Sequence, residues 1–314
     1  MVGTHPMISL VGLRRYFGAT RAVDDVSFEV QRGQVFGYIG PNGAGKTTSM
    51  RILATLDRPT AGDALVDGFS VVDDPDRVRG RLGFMPDYFG TYTDVNVCEY
   101  LDFFARSYGL HGAERLRAVR YTMSFTNLDE LADKPTNTLS KGMKQRLCLG
   151  RAMIHNPGVM VLDEPAAGLD PRARIELREM IRELAADGKA ILISSHILTE
   201  LAEMCDTVGI IERGRLLAVG SVDEINRGLE TRRTVEVRHL GDTAQLVAWL
   251  EGRADVEQVK VNDGQLVFFH SGDEVSEANL LRDMVVAGYR VAAFGASNHS
   301  LEEVFLRVTK GQVQ

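Results

Sequence analysis

From Ile8 to about residue 225, short apolar runs of strand length alternate with longer stretches in which apolar residues recur every three or four positions. Such alternation predicts an α/β domain on a largely parallel sheet, because parallel neighbours need a crossover, usually a helix, between them. "QVFGYIG" (34–40) reads as a strand running into a glycine-rich turn and then a helix, "KTTSMRILATL". "LGFMPD", "GVMVLDE" and "KAILISSH" read as further buried strands. Between Val95 and Asn156 the period becomes almost wholly helical, so an α-helical insertion over about 95–156 is expected to hang from the sheet. Inside it Tyr100, Phe103, Phe104 and Tyr108 recur at helical spacing and read as the buried stripe of one helix.

Beyond a polar, arginine-rich stretch from Gly228 to Arg233 the pattern changes. "RTVEVRHL", "VEQVKVN", "QLVFFHS" and "RVAAFGA" read as strands. Helical "TAQLVAWLEG" falls between the first and second, and "EVSEANLLRDMVVAGY" between the third and fourth. Asp263-Gly264 signals a hairpin turn, and "SLEEVFLRVT", with Ser300 as its cap and Glu302 and Glu303 in its first turn, reads as a closing helix. The order βαββαβ predicts a small ferredoxin-like α+β domain over 230–314, following a first domain over 7–229.

Composition narrows the function classes. With 314 residues, 44% apolar and 25% charged, the chain can bury one large core and a smaller one. Its net charge of -7 lacks the basic surface that a general grip on nucleic acid requires, so no nucleic-acid partner is expected. Cys98, Cys148 and Cys205 have no metal-ligand spacing and read as buried thiols of a reducing compartment. No apolar run approaches the roughly 18 residues of a membrane span, and "MVGTHPM" lacks the character of a secretory signal, with Met7 an alternative start.

Chemistry enters with "GPNGAGKTT" (40–48), which matches GxxxxGK[ST] at Gly40, Gly45, Lys46 and Thr47, between a predicted strand and a predicted helix. In that setting the backbone N-H groups of Asn42, Gly43, Ala44, Gly45 and Thr48 can curl around phosphate oxygens. Lys46 reaches the outer phosphates, and the Thr47 hydroxyl can ligate Mg2+. "VMVLDEP" supplies an apolar strand ending in Asp163, suited to holding Mg2+, and Glu164, suited to polarising an attacking water.

Together with these two motifs, three further elements resemble the ATP-binding cassette (ABC) ATPases in their order along the chain. "LSKGMKQR" (139–146) is similar to that family's LSGGQ signature, "AGLD" (167–170) to its D-loop, and His196 in "SSHIL" to its switch histidine. Tyr16, 24 residues before Gly40, falls where the family places an aromatic against adenine, with Phe17 an adjacent competitor. The resemblance covers residues 7 to about 225. It implies ATP and Mg2+ as ligands, Glu164 as general base and His196 as γ-phosphate contact, where in isolation His196 would read as a core histidine. It also implies a homodimer in which Ser140 and Gly142 of one copy close on the ATP of the other; by itself Ser140 is equally an N-cap. A separate transmembrane permease subunit would hold the chain at the cytoplasmic face of the membrane. The C-terminal "SLEEVFLRVT" and LSKGM are similar to ATPases of bacterial ABC-2-type exporters. Soluble ABC ATPases of translation or DNA repair, and a regulatory module with little turnover, are the alternatives. The former would show tandem cassettes, a coiled coil or a basic face, and the latter would lack turnover.

Two departures stand out. Lys141 and Met143 replace a glycine and the glutamine of the signature. Asp87 stands where the family's Q-loop glutamine contacts Mg2+ and the attacking water, so a carboxylate that can offer oxygen to Mg2+ brings charge toward the γ-phosphate. Tyr88, Phe89 and Tyr92 beside it are either local core or a docking surface for the membrane subunit.

Overall fold

The computed structural model describes residues 5–88, 90, 92, 94–196, 204–221, 224, 233–262 and 265–297. The Asp263-Gly264 turn, the closing helix from Ser300, Phe89 and the residues directly after His196 lie outside the described residues. The chain divides into two compact units, the first reaching Ser221 and the second starting at Val222.

The first unit begins with β1 (Ile8–Phe17), β2 (Thr20–Val30), β3 (Val35–Ile39), α1 (Lys46–Leu53), β4 (Ala61–Val66), β5 (Phe69–Ser70), α2 (Pro75–Arg79) and β6 (Leu82–Met85). It continues with α3 (Val97–Ser107), α4 (Gly112–Phe125), α5 (Lys141–Met153), β7 (Val159–Leu162), α6 (Pro171–Ala186), β8 (Ala190–Ser195), β9 (Thr207–Glu212) and β10 (Arg215–Gly220). Six strands form one sheet in the order β10-β9-β3-β8-β7-β6, parallel throughout except for β10. Every residue of β3, β7 and β8 is buried, the continuous apolar reading expected of parallel strands covered on both faces.

A second sheet, β2-β1-β4-β5, is antiparallel. The alternation of strands and helices does not announce it, because β1 and β2 form a hairpin whose Gly18 has a positive φ of 59°.

Helices α3, α4 and α5 surround their own apolar cluster, including Val97, Tyr100, Leu101, Val119 and Leu147. A reciprocal cap starts α3: Glu99 N donates to Asn96 Oδ1 (2.8 Å), and Asn96 N donates to Glu99 Oε2 (2.9 Å). The aromatic stripe is only half buried. Tyr100 is 1% exposed, but Phe103 is 54% and Tyr108 40% exposed. Phe103 lies about 60° around the helix from Tyr100, and Tyr108 falls just past the end of α3.

The second unit contains β11 (Arg233–His239), α7 (Thr243–Glu251), β12 (Val256–Asn262), β13 (Gln265–His270), α8 (Glu274–Val286) and β14 (Val291–Ser297). Its strands run β12-β13-β11-β14, all antiparallel, which is the ferredoxin-like arrangement of a βαββαβ chain. Val235, Val237, Leu246, Leu250, Leu266, Phe268, Leu280 and Met284 fill its core.

Candidate active site

The carboxyl ends of β3, β6, β7 and β8 are neighbours in the parallel sheet, and the loops leaving them converge, as ligand sites in open α/β sheets do. Between β3 and α1 the chain is held tightly. A Cβ on Gly40 would run into the Ile211 carbonyl, and one on Gly45 into the Ala22 carbonyl. Gly45 also has φ 107°, a conformation that side chains resist. It is the N-cap of α1, offering no side-chain cap, and no acidic residue lies in the first turn. The helix therefore starts with free N-H groups and an uncompensated positive end, the physical requirement of an anion cradle.

Lys46 opens α1 with its side chain only 5% exposed. Its Nζ donates to the carbonyls of Gly40 (2.5 Å) and Pro41 (3.3 Å) and lies 3.6 Å from Glu164 Oε1. Burial pulls its pKa down, while Glu164 and Asp163 oppose that shift.

Asp163 and Glu164 follow β7. Asp163 N donates to the Met85 carbonyl at the end of β6 (2.8 Å), which fixes the loop carrying Asp87 beside them. Ser194 on β8 clamps the pair: its hydroxyl donates to Asp163 Oδ1 (2.6 Å) and accepts from Glu164 N (2.8 Å). The Thr47 side chain also favours the charged form of Asp163. Burial first, then the charges of Glu164 and Asp87, push the Asp163 carboxyl up, against the Ser194 hydrogen bond and the Thr47 side chain. Glu164 sits in the left-handed region at φ 49°, and its Oε2 is 2.8 Å from His196 Nδ1.

A cavity of about 300 Å³ gathers these groups: Asn42, Gly43, Ala44, Gly45, Lys46, Thr47, Thr48, Asp87, Glu164 and His196 all line it. Gly40 stands behind its wall through its bond from Lys46, and Asp163 beside Glu164 through the Ser194 clamp. Tyr16, Ser140 and Gly142 do not line it.

Comparison with known proteins fits this geometry. The family profile described as "ABC transporter" matches residues 23–167, and one described as "ATP-binding protein DrrA1-3-like, C-terminal domain" matches 220–309. Over 98% of this chain and 95% of the relative, it is 36% identical to the Nod factor export ATP-binding protein I of Ralstonia nicotianae. The chain belongs to the ATP-binding subunits of ABC transporters. An uncharacterised ABC transporter ATP-binding protein of Bacillus subtilis, YxlF, is 33% identical over 96% of this chain and 99% of its own. A solved ATP-binding subunit of an ABC transporter superposes with a TM-score of 0.65 at 32% identity, covering 71% of this chain and 93% of that one.

In this ABC ATPase the signature caps α5: Ser140 Oγ accepts from Met143 N at 3.3 Å. Gly142 packs toward Ala173 at the start of α6, and the Lys141 ammonium crowds Gly168 of the D-loop. Tyr16 is half buried on β1, opposite Arg21, while Phe17 is 49% exposed under the Arg15 guanidinium. Tyr88 is 85% exposed. Tyr92, Asp94, Val95, Glu99, Tyr100 and Phe103 enclose a separate, largely apolar cavity of about 420 Å³. Sequence reasoning missed Ser194, whose only signal is a polar pair closing the apolar run "AILISS", and Ala22, which lines the phosphate cavity from the other sheet.

Proposed function

We propose that this ABC ATPase is the motor subunit of an ABC-2-type exporter, working as a homodimer under a separate membrane permease. The observation that carries the reading is the convergence of Lys46, Thr47, Asp87, Glu164 and His196 on one cavity, in a chain that aligns almost end to end with export ATP-binding proteins. The DrrA1-3-like match over 220–309 supports the exporter subclass and a second domain of about 230–314 after a cassette of 7–229. No helix among the described residues is long and apolar enough to cross a membrane, so attachment at the cytoplasmic face would come through the permease. A transported substrate related to Nod factors is one candidate cargo, on the names of the relatives alone.

ATP is the substrate. The loop from Gly40 to Thr48 binds its phosphates, with Lys46 neutralising the outer ones. Asp163 and Glu164 act on the buried Lys46 ammonium and Asp87 on Asp163, so three carboxylates gather where one lysine lies, and that charge imbalance suits a divalent cation. Thr47, Asp163 and Asp87 would hold Mg2+, which when bound offsets charge on the phosphates. Glu164 takes the proton of the water that attacks the γ-phosphorus, the bond to ADP breaks, and His196 orients Glu164 and the departing phosphate. Ser140 and Gly142 stand away from this cavity, so they would complete the site of the second copy. The aromatic cavity around Tyr92 and Phe103, rimmed by Asp94 and Glu99, would receive a segment of the permease.

Glu164→Gln is expected to lower Mg2+-dependent ATP hydrolysis at least about a hundredfold while leaving ATP binding intact, measured by phosphate release and equilibrium binding. Undiminished hydrolysis would remove Glu164 from its role. Recovery of the native protein only with ribosomes or DNA, and never with a membrane protein, would overturn the transporter assignment.

A further inference from the structure

Two further stretches of backbone, far apart in sequence, close on the phosphate loop at two glycines. A Cβ on Gly214, in the turn between β9 and β10, would strike the carbonyls of Arg21 and Ala22 on β2. One on Gly45 would strike the same Ala22 carbonyl and come within 3.5 Å of the Gly214 Cα. The turn is therefore wedged between β2 and the loop, with Arg213 and Gly214 both at positive φ, 49° and 78°. Two backbone hydrogen bonds cross this junction. Asp24 N donates to the Gly214 carbonyl (2.7 Å), and Gly214 N donates to the Ala44 carbonyl in the phosphate loop (2.9 Å).

Side chains lock the turn against β2. Arg215, the first residue of β10, donates to Asp24 Oδ2 from Nε (2.9 Å) and from an Nη nitrogen (2.7 Å), two charge-assisted bonds onto one oxygen. The Tyr16 hydroxyl donates to the other oxygen, Oδ1, at 2.7 Å. Asp24 is only 8% exposed, whereas Arg215 covers it from outside and is 63% exposed. The bonds from Tyr16 and then Arg215 hold the Asp24 carboxyl down at about 2, so the clamp stays ionised across ordinary pH.

The bond to Ala44 has a direction. The peptide between Ala44 and Gly45 is trans, and the carbonyl and N-H of a planar trans peptide point opposite ways. With the Ala44 carbonyl tied to Gly214, the Gly45 N-H is turned away from the turn, and both residues line the phosphate cavity. We propose that the turn at Arg213 and Gly214, clamped by Asp24 and Arg215, is a positioning element for phosphate: it sets the peptide between Ala44 and Gly45 so that its N-H faces the anion. Gly45 has no Cβ to resist a flip of that peptide, and a flip would aim a carbonyl oxygen at the phosphate instead. A tethered peptide loses no further freedom when the ligand arrives.

The test is equilibrium binding of ATP, and of inorganic tripolyphosphate as a probe that carries no base, by Gly214→Ala, Asp24→Asn, Arg215→Ala and Arg215→Lys, with urea unfolding of each. A misdirected N-H forfeits a hydrogen bond to a charged group, so Gly214→Ala should weaken both ligands by one common factor, roughly ten- to hundredfold. Asp24→Asn and Arg215→Ala loosen the turn without displacing it and should weaken both by roughly three- to tenfold. Their kcat at saturating ATP should stay within about twofold, because this N-H holds phosphate alike before and during reaction. Arg215→Lys, which keeps the charge, should recover part of the loss. The role rests on the loop at 40–48 gripping phosphate, which Lys46→Ala tests by itself. If Lys46→Ala weakens neither ligand, the loop is not the phosphate site and the role of the turn falls with it. If Lys46→Ala weakens both while the turn variants lose only stability in urea, the turn is scaffold and orients nothing. Weakening of ATP without tripolyphosphate would shift the effect to the base and overturn the role, and a loss confined to Gly214→Ala would remove Asp24 and Arg215 from it.

Discussion

Asp87 is the residue where this cassette departs most from the pattern it resembles, and it lines the phosphate cavity. Its charge also pushes the Asp163 carboxyl up. An amide there would remove that repulsion and one anionic oxygen from the proposed metal site. Asp87→Gln is therefore expected to raise the Mg2+ concentration needed for half-maximal hydrolysis by roughly three- to tenfold, read from Mg2+ titrations at saturating ATP. No change would separate Asp87 from the metal. His155, stacked face to face on Tyr108 at 3.7 Å, makes a different prediction. Burial depresses its pKa from 6.5 to about 4. The folded state thus binds fewer protons than the unfolded chain between those values, so stability is complete above about pH 6.5 and declines as pH falls toward 4. The loss reaches roughly 3 kcal/mol at most. Denaturant titrations at pH 7.5 and 5 should show it, and His155→Phe should flatten the dependence.

At the scale of elements, α3 shows how a short sequence signal becomes both structure and surface. Its capping box is worth about 1 kcal/mol, so Asn96→Ala should lower stability by that amount in urea unfolding, with basal hydrolysis kept. The phosphate loop, the strand ending at Asp163 and the βαββαβ order were all legible because each is a local pattern with its own period. Phe103 was misread for a related reason: helical spacing says which residues share a side, but only the packing of α4 and α5 says how wide the buried side is. The antiparallel sheet carrying Tyr16 was not legible, since β1 and β4 pair across most of the first 66 residues. Nor was the contact of Asp24 with Arg215, whose partners are 191 positions apart. Ser194 falls in the same class: nothing near it in sequence says that it will clamp the two acidic residues that follow β7.

At the scale of the whole molecule, the proposed dimer turns on two helix starts of one copy, at α1 and at α5. The cavity at α1 has its acids and its lysine, while Ser140 and Gly142 at the start of α5 do not line it. The proposed dimer can be tested by mixing two inactive variants, Lys46→Ala and Gly142→Asp. In their heterodimer one site carries both defects and the other carries none. An equal mixture that exchanges subunits freely should recover about a quarter of native hydrolysis, measured as phosphate release. No recovery, with exchange verified by labelled subunits, would mean that each copy completes its own site.

The left-handed backbone of Glu164 has one further consequence. Such a conformation costs a side-chain-bearing residue on the order of 1 kcal/mol relative to glycine. The contacts of its carboxylate with the buried Lys46 ammonium and with His196 oppose that cost, so a glycine here would relax the backbone, leave Lys46 with one carboxylate fewer, and give a protein that holds ATP without spending it.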